Sequence, residues 1–135
     1  MSSESFGILA TPAFFEGVLL AINALPDVTL AVEGPGCVET KAMRVAQNHD
    51  FGSTLFDLDG IHRVASTSHG CRMVLGGTDA LRDLSAGMIR RWNPAVHVLL
   101  PYAVPQAMGV DLEGVARELQ AAQGVPVLRL PSHAL

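Results

Sequence analysis

Charge is scarce in this chain. Only 16% of its 135 residues are Asp, Glu, Lys or Arg, and the net charge is −4. The sequence has no long basic run, which argues against a groove that tracks a nucleic-acid backbone. Aromatic residues are also few, at 5%. No apolar stretch reaches the roughly 18–20 residues that a membrane span needs. The opening MSSESFGILA has no basic n-region, so a secretory leader is not expected. Cysteine occurs twice, as Cys37 and Cys71. Two cysteines do not make a disulfide framework, and a reducing, cytoplasmic setting is the default reading.

What is abundant is apolar side chain, at 49%. With so little charge, that suits a sheet covered by helices on both faces, or a chain that buries surface against a partner. The length suits one domain with a real core, residues 1–135. The pattern alternates between helix and strand. Thr11 before Pro12 reads as a helix cap and first turn, and Phe15, Val18, Leu19 and Ile22 follow at helical spacing. Pro26-Asp27 closes that helix. Residues 28–32 are an almost wholly apolar strand, Gly34-Pro35-Gly36 a tight turn, and residues 38–47 a second helix. Residues 48–70 are polar and glycine-rich and show no periodic signal. A strand at 72–75 ends in Gly76-Gly77. Thr78 caps a third helix with Leu81, Leu84 and Met88 on its inner face, and Asn93-Pro94 ends it. A strand at 96–100, a proline-bounded loop from Pro101 to Pro105, a helix carrying Val115 and Leu119, a stop at Gly124 and a last strand at 125–130 complete the reading. Helices between buried strands imply a doubly wound, Rossmann-like α/β domain with a mostly parallel sheet of four or more strands.

Three features could carry chemistry. The first is Glu33-Gly34-Pro35-Gly36-Cys37. A cysteine at a helix N-terminus sits at the positive end of the macrodipole, which favours the thiolate that binds metal or attacks electrophiles. The flanking glycines would let a bulky group approach the backbone. A small buried residue at a crowded turn is the other reading of Cys37, and residue chemistry alone leaves it open. The second feature is Ser68-His69-Gly70-Cys71. Zinc would need four ligands at a recognisable spacing, and neither CxxC nor HxxxH is present. Cys37 follows its strand and Cys71 precedes one. In a simple parallel sheet the two would lie at opposite ends, unless the segment 48–70 changes this. The third feature is Leu75-Gly76-Gly77-Thr78-Asp79. Strand-to-helix turns bind phosphate through free N–H groups. This one is neither GxGxxG nor a Walker loop, and Asp79 would repel an anion, so a structural turn is the better reading. The histidines at 49, 62, 97 and 133 share no spacing, and His97, between Val96 and Val98, reads as a hydrogen-bonded core residue.

The string from Thr11 to Cys37 resembles the opening of the nitrogenase component 1 superfamily, which includes the light-independent protochlorophyllide reductase. Gly34-Pro35-Gly36-Cys37 looks like that family's G-P-x-G-C turn with one residue fewer. Val74-Leu75-Gly76-Gly77 followed by Ala80-Leu81 resembles its V-F-G-G turn and helix. Asn93-Pro94, the strand at 96–100, Gly109-Val110-Asp111-Leu112 and Val125-Pro126-Val127 follow in the family's order. The likeness runs from about residue 8 to residue 131. Family members are several times longer, and this chain resembles their first α/β domain only. The large active-site cofactor or tetrapyrrole lies among all the family's domains, so the resemblance implies that this chain alone lacks that site. The family's first domain also supplies cysteines to an iron–sulfur cluster at a subunit interface. Of those ligand positions only Cys37 is matched; the others fall at about Thr11 and Ala103.

The resemblance implies a small iron–sulfur protein, in which Gly34, Pro35 and Gly36 shape a turn against a cluster held by Cys37; Cys71 has no clear family counterpart and enters as the second ligand by the count of thiolates alone. A [4Fe–4S] cluster takes four thiolates, and a homodimer offers each cysteine twice. Electron transfer or cluster and cofactor assembly is the implied role, as an oxidoreductase component with a nitrogenase-reductase-like ATPase as donor. The alternative is a cluster-free accessory subunit that binds nitrogenase-like proteins. An enzyme with Cys37 as nucleophile is a weaker third reading, since no His or Asp is placed by sequence to activate the thiol.

Overall fold

The computed structural model describes residues 14–37, 63–67, 78–102, 105 and 108–130. The first described helix, α1, spans Phe14–Asn23. It buries Leu19 and Ile22 and half-buries Val18, as their helical spacing predicts. Its last turn tightens through bonds from Ala24 N to Ala21 O (3.2 Å) and from Leu25 N to Ile22 O (3.1 Å). Pro26 then follows, with no N–H to continue the ladder.

Strand β1 spans Val28–Glu33, and everything in it after Val28 is buried. Strand β2, Val64–Ser66, lies inside the segment from which the sequence yields no element. It has three residues, one of them polar, which is too short to show a period. It is a strand because β1 offers it a partner: Leu30 pairs with Val64, Ala31 with Ala65 and Val32 with Ser66, in parallel.

Helix α2 spans Asp79–Trp92 and ends at Asn93, whose left-handed φ of 43° lets its N–H reach Ile89 O. Thr78 stands at the cap position as expected, but its side chain makes no capping bond. Strand β3, Val96–Pro101, pairs with β1 along its whole length, from Val28↔Val96 to Glu33↔Pro101. Helix α3 spans Leu112–Gln123. It is capped by Asp111, which accepts from Gly114 N, and closed by Gly124 at φ 69°. Strand β4 is Val127–Arg129, shorter than the 125–130 expected, although Pro126 O and Leu130 N still bond to β3. The helix expected at 38–47, the strand at 72–75 and the Thr11-Pro12 cap lie outside the described residues.

The four described strands are all parallel, in the order β2-β1-β3-β4. Two apolar layers sandwich them. On one face Leu19 and Ile22 of α1 meet Leu30, Val32, Val64, Val98 and Leu100. On the other, Leu81 and Met88 of α2 and Leu112, Val115 and Leu119 of α3 meet Ala31, Leu99 and Val127. Burial on both faces is why β1 and β3 read as apolar runs. The α/β, doubly wound architecture expected from the sequence is the one observed.

Candidate functional site

From β1 the sheet extends one way to β2 and the other way to β3 and β4. In such a sheet the crevice at the carboxyl ends of the two strands flanking the reversal is where ligands bind. Those ends are Glu33 of β1 and Pro101 of β3, paired in register. Tyr102 N extends the ladder by one bond, donating to Glu33 O at 2.8 Å.

The turn leaving β1 is clamped from both sides. On the β2 side, Thr67 N donates to Val32 O (3.0 Å). The Thr67 hydroxyl accepts from Gly34 N at 3.2 Å and lies 3.4 Å from Gly34 O. On the β3 side, a Cβ at Gly34 would stand 2.8 Å from the Tyr102 Cβ. Real Cβ atoms do not approach that closely, so only glycine fits between the two neighbouring chain ends. Close approach of neighbouring backbone therefore acts at Gly34. The chain then rises out of the core. Gly34 is buried, Pro35 and Gly36 are half-buried, and Cys37, the first residue to return to helical conformation, is exposed and free. The reading of Cys37 as a small buried turn residue is thereby set aside.

The remaining sequence candidates divide. Cys71 and the Gly76-Gly77 turn lie outside the described residues. Among the described residues no three His, Cys, Asp or Glu side chains gather into a group that could hold a metal ion. His97 is fully buried on β3, with Nδ1 2.8 Å from Thr29 Oγ1 of β1. Burial lowers its pKa from 6.5 to about 4, so the ring is neutral at pH 7. It serves as a polar bolt between the central strands, as expected from its place in an apolar strand. Thr67 and Tyr102 are the residues that sequence reasoning missed. Thr67 sits in an unpatterned polar stretch. Tyr102 carried one faint signal, as the chain's one tyrosine, placed directly after a strand.

No family model matches the chain, and no curated protein sequence matches it. Solved structures do. Nitrogenase Cp1 at pH 6.5 superposes with a TM-score of 0.72 at 19% identity over 91% of this chain. Nitrogenase Cp1 at pH 5 does so with a TM-score of 0.71 at 18% identity over 92%. The chain spans 24% and 26% of those two chains, about a quarter of their length. The fold is thus nitrogenase-like, in line with the resemblance carried by the motifs.

Proposed function

We propose that this chain, residues 1–135 taken as one α/β domain, holds a [4Fe–4S] cluster between two copies of itself, for electron transfer or for cluster and cofactor assembly. The observation that carries the reading is Cys37. It is a free, exposed thiol directly after a clamped turn, at the carboxyl edge of the sheet where the strand order reverses. Its chemistry fits, since iron–sulfur clusters are held by thiolates. The described residues of one copy supply no other ligand group, so the remaining thiolates come from Cys71 or from a second chain. An isologous pair joined at this edge would present Cys37 twice and Cys71 twice.

In this reading Cys37 is the primary ligand and Cys71 the second. Gly34, Pro35 and Gly36 hold the backbone close to the cluster, while Thr67 and Tyr102 fix the turn. The cluster, when bound, supplies one-electron chemistry; the chain positions it and limits its contact with water. A nitrogenase-reductase-like ATPase is the proposed donor, and the cytoplasm the proposed setting. No helix among the described residues is long and apolar enough to cross a membrane.

The test is purification without oxygen, with iron, sulfide and the visible spectrum measured for wild type and two variants. Wild type is expected to be coloured. Cys37→Ala should lose its iron outright, and Cys71→Ala should retain a reduced, oxygen-sensitive amount. Full iron in Cys37→Ala would overturn the assignment. An iron-free wild type that still binds a nitrogenase-like protein would replace it with the accessory-subunit role.

A further inference from the structure

Helix α2 has two flanks. One meets α3, where Arg82 binds Glu118 at 2.5 Å. The other carries Asp83, Leu84, Gly87, Met88 and Arg91 and ends at Trp92. Together these six residues line an open concavity of about 470 Å³. A Cβ placed on Gly87 would meet nothing within 4 Å, so no described group covers the middle of this flank.

The charges on the flank are arranged about Gly87. Asp83 is four residues before it and Arg91 four after, so all three lie on one i, i+4 ridge of the helix. Both charged side chains are exposed. Neither has an ion-pair partner among the described residues, whereas Arg82 next to them has two. The Arg91 guanidinium lies 5.4 Å from the Trp92 ring centroid, within reach of a cation–π contact. A twofold axis through Gly87 would set Asp83 of each copy against Arg91 of the other. The missing side chain at the crossing point would let the two helices approach closely, with the half-buried Leu84 and Trp92 beside it.

We propose that this flank of α2 is a self-complementary docking surface, and that its occupant is the same flank of a second copy, packed antiparallel about Gly87. Charge complementarity argues for a copy over an unrelated partner. One acidic and one basic residue, equidistant from a glycine, match their own twofold image. This interface is distinct from the Cys37 edge. α2 packs along β1 and leads within a few residues into the amino end of β3, so it runs toward the edge of the sheet opposite the carboxyl edge. An antiparallel α2 pair therefore points the two Cys37 edges away from each other, and the inference stands whether or not a cluster binds.

The experiment uses chelator-treated, iron-free protein in reductant, followed by sedimentation at up to about 100 μM. A dimer is expected. Asp83→Arg and Arg91→Asp should each raise the dissociation constant about tenfold or more, because each sets like charges together twice per dimer. The double variant Asp83→Arg/Arg91→Asp should return to within about threefold of wild type, which loss of folding or of general stickiness would not do. As a second readout, Gly87→Cys in a Cys37→Ser/Cys71→Ser background should form a disulfide-linked dimer on mild oxidation. A wild type that stays monomeric, a double swap that does not restore association, or a Gly87→Cys chain that does not cross-link would each overturn the proposal.

Discussion

Two single residues set conditions on the stability of the fold. His97 is buried beside a neutral hydroxyl, and burial holds its pKa at about 4, below the ordinary 6.5. The unfolded chain therefore takes up a proton between pH 6.5 and 4 that the folded chain refuses. The stability tied to this ring is fully present above about pH 6.5 and is lost as pH falls through 4, by about 3 kcal/mol in all. Urea melts across that range should show a steeper fall for wild type than for His97→Gln; parallel slopes would contradict the burial argument. Gly34 is the second such residue. Its missing Cβ is matched by the Tyr102 Cβ, and a backbone-held carbon cannot rotate away. Gly34→Ala should destabilise by about 1–3 kcal/mol, read as a lower urea midpoint with an unchanged slope. An unaltered midpoint would mean the β1 and β3 ends can part at little expense.

At the scale of elements, the two helices on one face are secured differently. α3 has a side-chain cap, with Asp111 Oδ1 accepting from Gly114 N at 2.8 Å, and a left-handed glycine at its end. α2 has its left-handed stop at Asn93 but no bond from Thr78. Asp111→Ala should therefore cost about 1 kcal/mol, while Thr78→Ala should stay within about 0.5 kcal/mol. Equal losses in thermal or urea unfolding would show that Thr78 caps after all. The Arg82–Glu118 pair that links the two helices is exposed, and exposed pairs contribute little. The joint between α2 and α3 rests instead on the shared apolar cluster beneath them.

The whole molecule is expected to use two surfaces that lie apart. The carboxyl edge of the sheet carries Cys37, and the outer flank of α2 carries the charge pair about Gly87. Holding iron and with both surfaces intact, the protein should sediment as more than a dimer. Asp83→Arg should reduce the iron-loaded protein to a dimer bridged at the Cys37 edge. Chelation of that variant should release the 14.3 kDa monomer. A variant that stays dimeric after chelation would place its contact on neither surface.

Much of this architecture follows from short-range pattern. Apolar runs at 28–32 and 96–100 mark strands buried on both faces, helical spacing marks α1, α2 and α3, and Asn93-Pro94 and Gly124 mark where two of the helices stop. Those signals are legible because each depends on neighbours within about a turn of chain. The Cys37 turn was legible as a candidate for the same reason. What escaped depends on distant partners. β2 exists because β1 lies beside it. The caps are local and were only half legible: Asp111 caps α3 through Gly114 three residues on, while Thr78 has helical backbone angles and makes no capping bond. The need for glycine at position 34 arises from Tyr102, which reaches it only when β1 and β3 pair in register. Cys37 stands exposed at the edge rather than buried because the turn lifts it past Gly34 at the point where strand order reverses. Sequence determined which segments could form the layers; the register between strands far apart in the chain decided which side chains meet at the site.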